Sequence, residues 1–143
     1  TVKAARDAGL GVCCGGIFGI GETEKDRIEM ALALRELEID MVPMNFLHPI
    51  EGTPLAKTER LAPKEMLRII AVYRFILPET SLKAAGGRVL NLRDMQSWIF
   101  AAGITSILTG NYLTTAGRAV EDDMQMLKDL GLGPVRDQFP DKD

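Results

Sequence analysis

Apolar residues along this chain switch between helical and strand spacing, and the switches mark its elements. Val2, Ala5 and Ala8 recur at helical spacing, with Gly9 where a left-handed C-cap belongs, so residues 1–8 read as the end of a helix already under way. Residues 11–17 follow as a short apolar strand. Thr23, with Asp26 three positions on, resembles the start of a helix that runs to about Leu37. Its apolar residues Ile28, Ala31, Leu32, Leu34 and Leu37 exceed one narrow stripe, so neighbours should cover it well. Residues 41–47 read as a second buried strand, and Pro49, Gly52 and Pro54 punctuate a loop over 48–60. Pro63 takes the first turn of a third helix, through Met66, Leu67, Ile69, Ile70 and Tyr73, which Pro78 forbids from continuing.

A third strand over 81–85 ends at Gly86-Gly87. Asn91 is then expected to cap a fourth helix, with Asp94 in its first turn, Trp98, Ile99 and Ala102 on its apolar face, and Gly103 as its stop. Residues 104–108 make a fourth strand and 110–118 a polar loop. Glu121-Asp122-Asp123 opens a last helix at the positive end of its dipole, with Met124, Leu127 and Leu130 as the buried face and Gly131 as the end. From Gly133 onward the tail is polar.

A helix followed by four strand-helix units calls for an α/β fold with a parallel sheet and right-handed crossovers. Four units are half of an eight-unit barrel, so the expectation is a partial (β/α)8 TIM-type barrel. The alternative, an open sheet, leaves faces and edges bare, and a missing half-barrel is the natural cover. The chain also starts mid-element without an initiator methionine, which reads as a fragment of something longer.

Composition narrows the class. With 46% hydrophobic and 26% charged residues in 143, the chain is expected to be one soluble globular domain. No apolar run approaches the roughly 18–20 residues of a membrane span, and residues 1–9 lack the apolar stretch of a signal peptide. The net charge is −3 and the Lys and Arg residues are dispersed, which argues against nucleic acid as a partner. The two cysteines are adjacent and cannot staple distant segments, so a reducing cytoplasm is the simpler setting.

In a parallel barrel the reactive groups lie at the carboxyl ends of strands, which here present Cys13, Asn45, Lys83 and Ser106, with residues 15–22, 86–88 and 109–114 as adjoining turns. Side chains alternate faces, so only one of Cys13 and Cys14 can face the interior. Cys13 is either a buried structural cysteine or a thiolate ligand to a soft metal or cluster whose other ligands lie outside this chain. The glycines after it mark either tight strand-helix packing or a ligand-facing turn. A phosphate loop is excluded because no Gly-Lys-Ser/Thr ending follows. Glu22 alone reads as a helix-start carboxylate, and His48 as a loop residue. Lys83 in a short apolar strand costs several kcal/mol if buried unpaired, so it must snorkel, meet an anion or shift its pKa.

These segments also carry a family resemblance. The stretch from Val12-Cys13-Cys14-Gly15-Gly16 through Ile17-Phe18-Gly19-Ile20-Gly21-Glu22-Thr23 is one part of it. The others are Val42-Pro43-Met44-Asn45-Phe46-Leu47 with Gly52-Thr53-Pro54-Leu55, Ala85-Gly86-Gly87-Arg88, and residues 97–113 followed by Thr114-Thr115. In this order they resemble the C-terminal half of the biotin synthase family of radical S-adenosylmethionine enzymes. The resemblance places residues 1–132 in that half-barrel, including its biotin and thiamin synthesis associated region, and leaves 133–143 as tail.

It implies that Gly15, Ile17, Gly19 and Glu22 form the G-x-I-x-G-x-x-E motif against the adenosyl part of S-adenosylmethionine. Cys13 matches a ligand of the auxiliary 2Fe-2S cluster, the sulfur donor, Asn45 a contact to dethiobiotin, and Ser106 a polar inward position near the cluster. The implied reaction inserts sulfur between two unactivated carbons of dethiobiotin, started by a 5'-deoxyadenosyl radical, in a cytoplasmic homodimer served by a flavodoxin-type reductant.

Two departures stand out. Lys83 occupies the position where the family has an arginine ligand to the auxiliary cluster, and lysine offers one nitrogen on a flexible stem instead of a planar fork. The C-x-x-x-C-x-x-C motif for the 4Fe-4S cluster is absent from this sequence, as are the other auxiliary-cluster cysteines. The chain alone is therefore expected to be inactive, with the N-terminal half of the same enzyme as its partner. A related hydrogenase-maturation or tyrosine-lyase type radical protein is a second reading, against which Cys13, Asn45 and Gly86-Gly87-Arg88 argue. A stand-alone half-barrel binding module is a third.

Overall fold

A computed structural model describes residues 1–113 and 115–133; Thr114 and the expected tail beyond Gly133 lie outside the described residues. The chain divides into two compact units, Thr1–Leu108 and Thr109–Asp143. The first unit begins with α1 (Val2–Asp7), β1 (Gly16–Phe18), α2 (Glu24–Glu36), β2 (Met41–Phe46) and α3 (Pro63–Ile76). It continues with β3 (Ser81–Ala84), α4 (Arg88–Leu92), a 3-10 turn (Arg93–Met95), α5 (Trp98–Ala102) and β4 (Ser106–Ile107). All strand pairs are parallel, in the order β1-β2-β3-β4. Sequential neighbours without a reversal build the wall of a barrel, whereas a doubly wound open sheet reverses at a switch point.

Local chemistry sets the boundaries. The Thr23 and Asp26 pair forms a reciprocal capping box on α2, with Asp26 N–H on Thr23 Oγ1 at 3.2 Å and Thr23 N–H on Asp26 Oδ2 at 2.8 Å. Pro63 opens α3. The first strand is shorter than the expected 11–17, and β2 supplies the reason. Met41 bonds toward β1 through both backbone groups, to Val12 C=O at 3.3 Å and from Cys14 N–H at 3.0 Å. Two residues on, Pro43 has no N–H to continue that ladder. Gly15 passes so close there that a Cβ would lie 2.1 Å from the Pro43 oxygen. Regular pairing resumes only at Gly16, and Cys13 keeps an isolated bridge to Met41.

The core lies on one side of the sheet. Phe18, Val42, Met44, Phe46, Leu82 and Ala84 are buried in one cluster with Ala31 and Leu34 of α2 and Met66, Ile69, Ile70 and Tyr73 of α3. Each large side chain buried there contributes about 1.5–3 kcal/mol. Phe18 stands edge-on to Tyr73 at 5.2 Å between centroids, and the Tyr73 hydroxyl donates to the Arg27 carbonyl at 3.0 Å.

Four expectations about the helices are corrected. The fourth helix is broken into α4, the 3-10 turn and α5, at Arg93 with φ 52°. Its N-cap is Gly87 at φ 76°, and Asn91 lies inside α4, buried, where its Nδ2 donates to Gly87 C=O at 2.8 Å and Leu47 C=O at 3.1 Å. Trp98 is 60% exposed, because the short α5 turns Ile99 and not its first residue into the core. In the second unit α6 (Val120–Asp129) has the acidic first turn expected, but Asp123 and Met126 are its buried residues, while Met124 and Leu130 are exposed. Arg118, 3.2 Å from the Asp123 carboxylate, allows that charge to turn inward.

Candidate functional site

The second face of the sheet holds the strand residues singled out in the sequence. Along β2 and β3 burial alternates strictly, so that Met41, Pro43, Asn45, Ser81 and Lys83 are half-buried opposite the core residues. The register sets Pro43, Lys83 and Ser106 in one row, Ile17 and Asn45 in the next, and Cys13 beside Met41 in the row before. Cys13, Ile17, Asn45, Lys83 and Ser106 therefore share one face. Cys13 is exposed there and Cys14 is partly buried against the core, as parity requires. Ile17 is 53% exposed.

Asn45 links the strand ends. Its Oδ1 accepts the Gly86 N–H at 3.0 Å, and its Nδ2 lies 3.4 Å from the Gly16 carbonyl. Lys83, from the same half-buried row, makes no ion pair among the described residues. The Ser106 hydroxyl is buried without a hydrogen-bond partner among the described residues. The turn that Asn45 touches is itself fixed from below by Asn91, and the neighbouring Arg88 is buried with its Nη1 on Gln96 Oε1 at 3.0 Å.

The glycine loop closes the row at the carboxyl end of β1. Gly19 and Gly21 take φ 87° and 109°, conformations that L side chains rarely adopt. Glu22 folds back over the loop, its carboxylate accepting the Gly19 N–H at 2.7 Å, the Ile20 N–H at 2.8 Å and Arg27 Nε at 2.8 Å. Burial alone raises the Glu22 pKa. Hydrogen bonds from Gly19, its own N–H, Arg27 and Ile20 outweigh that and hold it below the usual carboxylate range. Two amides that a phosphate-binding loop offers to its ligand are here occupied by a side chain. Arg27 and its second partner Glu65, 2.5 Å from Nη1, carry no sequence signal, since they meet only when α2 packs on α3. Among the described residues there is no group of three or more His, Cys, Asp or Glu that could hold a metal ion.

Residues 43–133 match the family described as the Biotin and Thiamin Synthesis associated domain. The chain belongs to that family. The matched segment contains Asn45, Lys83 and Ser106, and the Cys13 strand and glycine loop precede it. Within the family's setting, the chain is 61% identical over 132 residues to a biotin synthase of Geobacter sulfurreducens and 59% identical over 133 residues to one of Pelobacter propionicus. These alignments cover 92% and 93% of this chain and 40% of each relative, so the chain spans about two-fifths of their length.

Among solved structures, a methylornithine synthase is similar with a TM-score of 0.71 and 26% identity, covering 92% of this chain and 43% of that one. An FeFe-hydrogenase maturase from Carboxydothermus hydrogenoformans aligns with a TM-score of 0.68 at 20% identity, over 92% of this chain and 34% of that one, a likeness of fold alone. With the sequential parallel sheet, these establish the fold class as a partial (β/α)8 barrel.

No helix among the described residues is long and apolar enough to cross a membrane.

Proposed function

We propose that this chain is the C-terminal part of a biotin synthase, a radical S-adenosylmethionine sulfurtransferase that inserts sulfur into dethiobiotin. The observation that carries the reading is its 61% identity over 132 residues to a relative of that name. The shared face of Cys13, Asn45, Lys83 and Ser106 supports it.

The residues present fit the implied groups as one side of a site. Cys13 and Lys83 offer a thiolate and a nitrogen to an iron-sulfur cluster on the same face, two strands and one pleat apart, about 10 Å across the sheet and about 7 Å along it. The lysine stem covers part of that span, and the remaining ligands come from the N-terminal half of the same enzyme. Held there by Cys13 and Lys83 with ligands from the N-terminal half, a 2Fe-2S cluster would supply sulfur, and the radical would come from S-adenosylmethionine with a 4Fe-4S cluster bound by that half. Ser106, with its hydroxyl unpartnered beside Lys83, donates toward the cluster and tunes it.

Gly15, Ile17 and Gly19 form a wall for the adenosyl group, with Glu22 holding that wall in shape. Asn45 retains one N–H and one lone pair beyond the two bonds it makes, a match to the N–H and C=O edge of the cyclic urea of dethiobiotin. A homodimer, a flavodoxin-type reductant and a cytoplasmic setting complete the reading.

The test replaces the matching part of the Geobacter sulfurreducens relative with this chain and assays conversion of dethiobiotin to biotin under anaerobic conditions. Biotin formation is expected. A folded, cluster-loaded hybrid that makes none, beside an active unaltered relative, would overturn the reading. In the same hybrid Lys83→Ala is expected to change the auxiliary cluster's absorption spectrum; an unchanged spectrum and iron content removes Lys83 from the ligand set.

A further inference from the structure

We infer that Arg27 is a positioning residue for the glycine loop, acting through Glu22, and that Glu65 on α3 fixes Arg27 in that role. The inference rests on the reading of this loop as a nucleoside wall.

A loop containing Gly19 at φ 87° and Gly21 at φ 109° has little conformational preference of its own, so its shape must be imposed. Glu22 imposes it, with Oε1 on the Gly19 N–H and Oε2 on the Ile20 N–H. A carboxylate on a flexible stem can meet two amides in several ways. Arg27 selects one of them by placing Nε 2.8 Å from Oε1, in a setting where both side chains are largely withdrawn from water, at 12% and 15% exposure. Charge-assisted bonds so placed are stronger than exposed pairs.

Arg27 is itself held at both ends. Its Nη1 lies 2.5 Å from Glu65 Oε1, and its backbone carbonyl accepts the Tyr73 hydroxyl at 3.0 Å. Tyr73 packs edge-on against Phe18 of β1, the residue just before Gly19. The loop and α3 thus meet at one guanidinium on α2, and the backbone carbonyl of the same residue is tied to β1 through Tyr73. The alternative is that these charges merely join α2 to α3. That work is also performed on the surface by Arg68, which pairs with Glu24 of α2, the two 51% and 67% exposed and neither touching the loop, and which donates to Glu65 at 3.0 Å as well.

The test compares Arg27→Met, Arg27→Lys, Glu65→Gln and, as a control on helix joining, Glu24→Gln. Amide exchange at Gly19 and Ile20 is measured on the 143-residue chain, and S-adenosylmethionine binding and the KM for dethiobiotin on the hybrid enzyme. Arg27→Met is expected to speed exchange at both amides and to weaken S-adenosylmethionine binding, each about tenfold, as loss of one charge-assisted bond predicts, with the dethiobiotin KM unchanged. Arg27→Lys should recover part of both, Glu65→Gln should shift both in the same direction by less, and Glu24→Gln should move neither. Glu65→Gln carries the test if Arg27→Met fails to fold. Unchanged exchange at Gly19 and Ile20 in Arg27→Met and Glu65→Gln, or an equal effect of Glu24→Gln, overturns the inference. Accelerated exchange in an enzyme whose unaltered form does not bind S-adenosylmethionine overturns the functional reading and leaves the positioning role standing.

Discussion

Gly87 is the position where one added methyl group is expected to do most damage. Its φ of 76° would cost an alanine about 1 kcal/mol. A Cβ there would also sit 1.8 Å from the Phe46 carbonyl oxygen and 3.2 Å from Asn91 Nδ2, so the turn must withdraw from β2. Withdrawal strains the Asn91 bonds to Gly87 C=O at 2.8 Å and to Leu47 C=O at 3.1 Å. Two such buried bonds are worth about 1–1.5 kcal/mol each. The sum is a loss of about 3–4 kcal/mol, a large share of a small domain's stability. Gly52 supplies the control, because at φ 81° it has nothing within 4 Å of an added Cβ. Gly52→Ala should therefore show the conformational cost alone, about 1 kcal/mol. Urea titrations of the two variants and the parent chain, compared at a common slope, measure the gap. If Gly87→Ala and Gly52→Ala fall within about 0.5 kcal/mol of one another, the claim that contact with β2 dominates at Gly87 is refuted.

Other outcomes follow from the same geometry. Arg74 donates to the carbonyls of Leu77, Pro78, Thr80 and Gly103 at 2.8–3.0 Å, so Arg74→Ala should destabilise the chain by about 2–4 kcal/mol in chemical denaturation, with Arg74→Lys recovering less than half. Hydrogen bonds to Arg68 and Arg27 lower the Glu65 pKa against burial, and Glu22 is also lowered, both from an ordinary value of 4.5. A depressed folded pKa gives stability that is present above pH 4.5 and is lost as pH falls through the folded values, so a pH series of denaturation midpoints should drop on acidification, and less steeply in Glu22→Gln. Cys13 is exposed and Cys14 is packed on the core, so a thiol reagent should modify Cys13 first, read by mass spectrometry, with protection of Cys13 in the hybrid enzyme.

Several of these features were legible in the sequence for identifiable reasons. Pro63, the Thr23-Asp26 pair and Gly9 act within a few residues, and each appears where the spacing placed it. The parity of β2 and β3 set Asn45 and Lys83 on the face opposite the core. What escaped were effects decided between elements. Arg93 at φ 52° breaks a helix without a glycine or proline to announce it, and Asn91 gives up its capping role for a carbonyl on the far side of Gly87, at Leu47. Met126 displaced Met124 and Leu130 from the interior of α6 once Arg118 paired with Asp123. Arg27, Glu65 and Gln96 are ordinary polar residues in a linear reading, and only the packing of α2, α3 and α4 gives them partners.

The two faces of the sheet demand different covers. Phe18, Val42, Met44, Phe46, Leu82 and Ala84 offer a continuous apolar surface, and α2 and α3 satisfy it with apolar side chains. The other face sets a lysine, an asparagine, a serine and an exposed cysteine among small or apolar neighbours. An apolar layer over Lys83 and the unpartnered Ser106 hydroxyl would leave an ammonium and a donor uncompensated, at a cost of several kcal/mol. Parallel sheets are covered on both faces, so whatever lies over this one must carry acceptor atoms. A cover that presents polar acceptors meets that demand, and a second hydrophobic core does not. Because side chains alternate, a slip of one residue in the pairing of β2 with β3 would exchange the two surfaces and destroy core and site together. The register that buries Val42, Met44 and Leu82 is thus the same constraint that presents Asn45 and Lys83, and stability and chemistry in this half-barrel are set by a single choice of pairing.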